Sequence, residues 1–295
     1  MANSLTTTST TMLKIVVTGG GGQLATAIAI ASSSSQNTYH IASREELDIC
    51  SLPSVSERLA DADIVINCAA YTNVEAAEDN AEEAMRVNRD GVRNIATICL
   101  ERGIRLIHLS TDFVFGGDTL RNTPYSEEDT IAPINIYGAT KAEGEGEALR
   151  CHDAIVFRTS WLYAPWGKNF LNTILARARQ GATLRVVNDQ RGTPTSALGL
   201  ARAIVAIIDS GAYRTMSGIY HYSDLGECTW YDFAVEALRQ ASLEADVAPC
   251  KSHAWPSKAR RPHYSVLDKQ RILKTGVVAL KSWQEHLTEV LNYNK

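Results

Sequence analysis

The chain has 295 residues, 45% hydrophobic and 21% charged, and its 29 Lys+Arg against 33 Asp+Glu give a formal net charge of −4. That composition excludes collagen-like, low-complexity and wholly disordered chains, and the mild acidity argues against sequence-independent nucleic-acid binding, which needs a basic field. A chain this long buries about 75% of its unfolded surface as one large or two modest domains, with no need of a disulfide or metal staple. The six cysteines, at 50, 68, 99, 151, 228 and 250, show no Cys-x-x-Cys or zinc spacing and read as small hydrophobes of a reducing compartment. Residues 1–11 are Ser/Thr-rich and uncharged, lack the pattern of a signal peptide, and are expected as a disordered tail before Met12. No run approaches the roughly 20 apolar residues of a membrane helix. A soluble, cytoplasmic protein with no membrane partner is expected.

In chain order, Leu13-Lys14-Ile15-Val16-Val17 predicts a strand that stops at four glycines, and Gln23 to Ala31 supplies helix formers. Further strands are expected over 39–42, 63–68, 104–109 and 154–158. The intervening helices are a short one over 53–60, a long region over 75–103 and one over 137–150. Near-continuously apolar strands alternating with helices predict an α/β fold with a doubly wound parallel Rossmann sheet, covered on both faces. Beyond residue 161 the alternation becomes irregular, with amphipathic helices over 230–240 and 282–292. The expected division is a dinucleotide-binding domain over 12–160 and a smaller, mainly substrate-binding domain over 161–295, with strands from 184–223 as candidates to rejoin the sheet.

Gly19 and Gly22 with Ala25 give Gly-x-x-Gly-x-x-Ala between a strand and a helix, the context in which backbone amides approach a pyrophosphate. The second strand ends in Ala42-Ser43-Arg44 instead of the acid that holds ribose hydroxyls in NAD sites. A hydroxyl and a guanidinium suit a 2′-phosphate, so NADPH is favoured, with NADH as the alternative.

Tyr137 and Lys141 stand four residues apart on one helix face. An ordinary phenol is a poor proton donor at neutral pH, and a neighbouring Lys is expected to lower its pKa. Ser110-Thr111-Asp112 falls at a strand's C-terminal end, where open α/β sheets bind ligands and where a hydroxyl can stabilise oxyanion charge. The order of glycine turn, strand-end hydroxyl and Tyr/Lys helix is that of a short-chain dehydrogenase/reductase.

Longer blocks sharpen this. Asn67-Cys68-Ala69-Ala70-Tyr71-Thr72, Ser110-Thr111-Asp112-Phe113-Val114-Phe115, Tyr137-Gly138-Ala139-Thr140-Lys141, Arg158-Thr159-Ser160-Trp161, Asp189-Gln190-Arg191-Gly192-Thr193-Pro194 and Arg260-Arg261-Pro262 are in the order of the dTDP-4-dehydrorhamnose reductase family, which the chain resembles from Met12 onward. The resemblance implies reduction of the C4 ketone of dTDP-4-dehydro-L-rhamnose to dTDP-L-rhamnose, with Thr111 as catalytic hydroxyl, Tyr137 as proton donor and Lys141 on the nicotinamide ribose. It carries cofactor contacts onto Gly22, Gln23, Leu24, Asp48, Ile49, Ala70, Tyr71 and Thr72, and sugar contacts onto Thr111, Asp112 and Trp161. Read from its chemistry, Arg260-Arg261 would clamp a diphosphate bidentately, and Trp161 would stack on sugar or base.

Some family members bind Mg²⁺ at a dimer interface through an acid in the first helix. Ala25-Thr26-Ala27-Ile28 has none, so neither that metal nor that dimer is expected, and the chain is expected as a monomer or weak homodimer. Related dehydratases place Glu after the strand-end Thr-Asp, whereas Phe113 stands here. A reductase of another 4-keto-deoxysugar, or a non-catalytic relative like the regulatory subunit of methionine adenosyltransferase, remains as an alternative.

Overall fold

Strand β1 (Lys14–Thr18) alternates Ile15 and Val17 toward one face with Val16 toward the other, and all three are buried. The computed structural model describes residues 12–293; the tail expected over 1–11 lies outside the described residues. β2 (Thr38–Ile41), β3 (Ile64–Asn67), β4 (Arg105–Thr111) and β5 (Ile155–Thr159) join β1 in one parallel sheet. The sixth strand, Gly218–His221, comes from beyond residue 161 and pairs parallel with β5. Across the sheet the order is Gly218–His221, β5, β4, β3, β1, β2, so the chain reverses direction between β1 and β3. Loops leaving those two strands diverge and open a crevice at their carboxyl ends. Leu184–Val187 stays outside this sheet and pairs with Val247–Cys250.

Two apolar layers cover the sheet. On one face Ile15, Val17, Ile64, Ile66, Ile107 and Phe157 meet α1 (Gln23–Ala31) and the helix Ala197–Asp209. On the other, Val16, Val65, Leu106 and Val156 meet Val55 of α2 (Leu52–Arg58) and Val92, Ile95 and Cys99 on the helix Gly91–Arg102. Burial on both faces explains why the strands read as unbroken apolar runs.

The region expected as one long helix over 75–103 is four segments. α3 (Val74–Asp79), capped by Asn73, breaks at Asn80 (φ −129°), and α4 (Ala81–Met85) runs through a π-helical turn, Arg86–Asp90, into Gly91–Arg102. The π turn points the buried Asn88 at the loop after β3: its Oδ1 accepts from Tyr71 N (2.8 Å), and its Nδ2 donates to Tyr71 O (3.1 Å) and to Thr140 Oγ1 (3.0 Å). Inserted π turns often mark functional positions in this way.

Candidate active site

The glycine turn is shaped by exclusion. A Cβ on Gly20 would lie 2.8 Å from the Ala42 carbonyl, to which the Gly20 amide donates at 2.8 Å, and one on Gly19 would lie 2.9 Å from Ala69 N. The turn is thus pressed between the ends of β2 and β3, and Gly20, passed over in the spacing argument, is as tightly placed as Gly19 and Gly22. Gly22 forms the N-cap of α1 without a side-chain cap, so no side chain satisfies the first-turn amides. A bare cradle followed by uncapped amides fits a dinucleotide pyrophosphate.

Beside this turn lies a cleft of about 690 Å³. Gly19, Gly22, Gln23, Leu24, Arg44, Asp48, Ile49, Ala70, Tyr71 and Thr72 line it, together with Thr111, Tyr137, Lys141 and Trp161. Ser43 stays off the wall: its amide donates to Glu46 Oε2 (2.8 Å) and its Oγ accepts from the Glu46 amide, which presents Arg44 at the rim. A 2′-phosphate would therefore meet Arg44 first. Arg44→Ala is expected to raise the NADPH Kd about tenfold or more, as a charge-assisted contact is lost, with NADH affinity unchanged. Fluorescence titration with both cofactors checks this; equal losses for the two would refute it.

The strand-end trio follows from local packing. Helix Ile136–Ala148 begins at Asn135, whose side chain accepts from Gly138 N (2.7 Å). A Cβ on Gly138 would collide with the Phe113 carbonyl, and one on Gly144 with the Asn88 carbonyl. Gly138 lets the helix sit directly against the turn after β4, which brings Tyr137 beside Thr111, and Gly144 lets it sit against the π turn. Lys141 is buried, and its Nζ donates to Leu109 O at 2.6 Å.

Electrostatics correct one expectation. Burial pushes the Tyr137 phenol up to about 12, Asp112 adds to the rise, and the hydrogen bond with Thr111 opposes it. Lys141 is not among the groups that act on it; its ammonium donates to the Leu109 carbonyl. Burial instead brings Lys141 itself down to about 8, against the pull of Glu145 and Cys68.

Asp112, expected at the sugar, lies away from the cleft. It is 2% exposed, accepts from Ser265 Oγ (2.6 Å) and Thr111 Oγ1 (3.2 Å), and burial pushes its carboxyl up to about 7. Its visible task is to hold the Thr111 hydroxyl against the segment around Ser265. Arg260 and Arg261 line a second cavity of about 670 Å³ that also carries Arg177, Arg185 and Trp255. The expected two-armed clamp has one arm engaged, because Arg261 pairs with Glu75 of α3. One face of the Trp161 indole is already covered by Trp230, with centroids 3.5 Å apart, so that face is closed to a sugar or base.

Several residues were not singled out in the sequence. Asn169 donates to Gln23 Oε1 (2.8 Å) and, with Lys168 and Phe170, brings the loop before helix Phe170–Arg179 onto the cleft. Behind β4, Glu145 accepts from Ser110 Oγ (2.5 Å) and pairs bidentately with Arg158 (2.9 and 2.8 Å), both side chains 3% exposed. No group of three or more metal-ligating side chains occurs among the described residues.

Residues 13–295 match the family described as the RmlD substrate binding domain. The chain belongs to that family. Among RmlD relatives, a dTDP-4-dehydrorhamnose reductase of Mycolicibacterium smegmatis is 37% identical over 267 residues, covering 90% of this chain and 80% of that one. A dTDP-4-keto-6-deoxy-D-glucose reductase of Streptomyces niveus is 38% identical, covering 83% and 85%. The crystal structure of dTDP-4-dehydrorhamnose reductase from Bacillus anthracis in complex with NADP superposes with a TM-score of 0.89 at 31% identity, over 96% of this chain and 100% of that one. The RmlD family accounts for the six-stranded sheet, and the chain is an NAD(P)H-dependent oxidoreductase of the type that reduces dTDP-linked keto sugars.

Proposed function

We propose that the protein reduces the C4 ketone of dTDP-4-dehydro-L-rhamnose to dTDP-L-rhamnose with NADPH. The observation that carries this reading is the convergence of Thr111, Tyr137 and Lys141 on the cleft that the glycine turn and Arg44 also line. Residues 19–24 would hold the cofactor's pyrophosphate, Arg44 its 2′-phosphate, and Lys141 its nicotinamide ribose. When bound, the cofactor supplies the hydride that reduces the carbonyl carbon. Thr111 turns its hydroxyl proton from Asp112 Oδ1 to the carbonyl oxygen, and Tyr137 delivers the proton. An alkoxide is a stronger base than a phenolate, so this transfer runs downhill even from a phenol near 12. The raised pKa keeps the donor protonated at neutral pH.

The second cavity suits the nucleotide end. Arg177, Arg185 and Arg260 offer cationic partners for a diphosphate, and Trp255 an aromatic face for a base. We infer that residues 12–160, with the strand Gly218–His221, form the dinucleotide-binding unit and that most of the remaining chain forms the substrate side. We also infer a cytoplasmic site of action, supported by six free thiols, and a monomer or weak homodimer, supported by the first turn of α1 carrying no acid.

Loss of nicotinamide absorbance with NADPH and either dTDP-4-dehydro-L-rhamnose or dTDP-4-keto-6-deoxy-D-glucose tests the reading. Faster turnover of the first is expected. Preference for the second would assign the chain to the activity named for the Streptomyces niveus relative, and turnover of neither would refute the reading.

A further inference from the structure

Trp161 sits in a backbone conformation that a bulky residue adopts only where its surroundings over-determine it, with φ +45°. Those surroundings are specific. A Cβ on Gly192 would lie 2.6 Å from the indole, and Gly192 is held opposite Cys228 in a short antiparallel pair. Trp230 stacks on Trp161 with planes 7° from parallel, and Phe170 packs on Trp230 at 4.6 Å. Trp230 is the first residue of helix Trp230–Gln240, which a Thr229–Asp232 capping box fixes at its start. Trp230 and Phe170 each line both cavities. The stacked indoles thus belong to the wall between the chamber containing Tyr137 and the one containing Arg260.

We propose that Trp230 is a positioning and specificity-determining residue: it holds Trp161 as a flat apolar partition against which the deoxysugar lies while the nucleotide occupies the second cavity. This rests on the nucleotide-sugar reading above. An indole has one donor and no acceptor, so a hydroxymethyl group pressed against the Trp161 surface that Trp230 leaves uncovered loses hydrogen bonds to water without replacement, whereas the methyl of a 6-deoxysugar loses none. The pair therefore favours 6-deoxy substrates and sets their approach to Thr111 and Tyr137. The Trp230 side chain itself takes no part in hydride or proton transfer.

The test uses Trp230→Ala and Trp230→Phe in the full chain, with three readouts: KM for the keto sugar, NADPH Kd, and the far-UV circular-dichroism couplet that stacked indoles produce. Trp230→Ala is expected to remove the couplet and raise KM about tenfold, with NADPH Kd unchanged. Trp230→Phe also removes the couplet but recovers most of the KM, because a flat ring still backs Trp161. An unchanged KM in Trp230→Ala overturns the proposal, as does an NADPH Kd that rises in step with KM. If Trp230→Ala does not fold, Trp230→His carries the same test, with a raised KM expected and an unchanged KM overturning the proposal. Absence of turnover by the unmodified chain strikes the nucleotide-sugar reading itself, whereas normal turnover with an indifferent Trp230→Ala strikes only the role of Trp230.

Discussion

Tyr137→Phe is expected to lower kcat for ketone reduction by about 10²–10⁴-fold, the usual worth of a positioned general acid, and to leave NADPH affinity nearly unchanged. The ring itself stays in place: it packs edge-on against Phe113, with centroids 5.9 Å apart, and phenylalanine keeps that contact. Only the hydroxyl facing Thr111 is lost. Activity that survives the substitution would move the proton donor elsewhere, with Thr111 as the nearest hydroxyl. The pH profile supplies a companion result. Tyr137 holds its proton well past neutrality, so of the Tyr137/Lys141 pair it is Lys141, near 8, that titrates first as pH rises. A profile of kcat/KM reports groups of the free enzyme, and it is expected to fall above about pH 8 as the ammonium is lost.

The second large effect concerns stability. Glu145→Gln leaves Arg158 buried without its counter-charge, which costs about 3–5 kcal/mol when one partner of a buried pair is removed. The neighbours of Arg158 do not compensate. His221 lies 3.5 Å away and is held neutral, its pKa brought down to about 3 by burial and by Arg158 itself, and Phe115 offers only its ring face at 5.0 Å. Ser110 loses its carboxylate acceptor at the same time, so the end of β4 that carries Thr111 loosens with the helix that carries Lys141. Urea unfolding of the variant checks this. An unchanged midpoint and slope would show that the pair is dispensable.

Local patterns carried the parts of the fold that depend on near neighbours. Helices Gln23–Ala31 and Trp230–Gln240 have the limits expected from composition, since capping and apolar spacing act within a few residues. The breaks inside 75–103 were hidden because Ala, Glu and Arg favour helix throughout; Asn80 and the π turn answer to packing against the helix that carries Tyr137. The same distinction holds at the site. The glycine turn, Arg44, Thr111, Tyr137 and Lys141 lie where strand ends and helix starts put them. The surroundings of Asp112, Arg261 and Trp161 were not legible because the side chains that engage them come from far along the chain. Ser265 is 153 residues from Asp112, and Glu75 is 186 from Arg261. Trp230 gave no sequence signal of its own, because an aromatic residue at the start of an amphipathic helix reads as core.

The proposed chemistry is tested most directly by following a label. With NADPH deuterated at C4 of the nicotinamide and dTDP-4-dehydro-L-rhamnose as substrate, nuclear magnetic resonance of the product is expected to show deuterium at C4 of the sugar. Tyr137→Phe is expected to form almost none of that product. Oxidation of NADPH with no deuterium in the sugar, or recovery of the keto sugar unchanged beside intact NADPH, would contradict the assignment of this cleft as a ketone-reducing site.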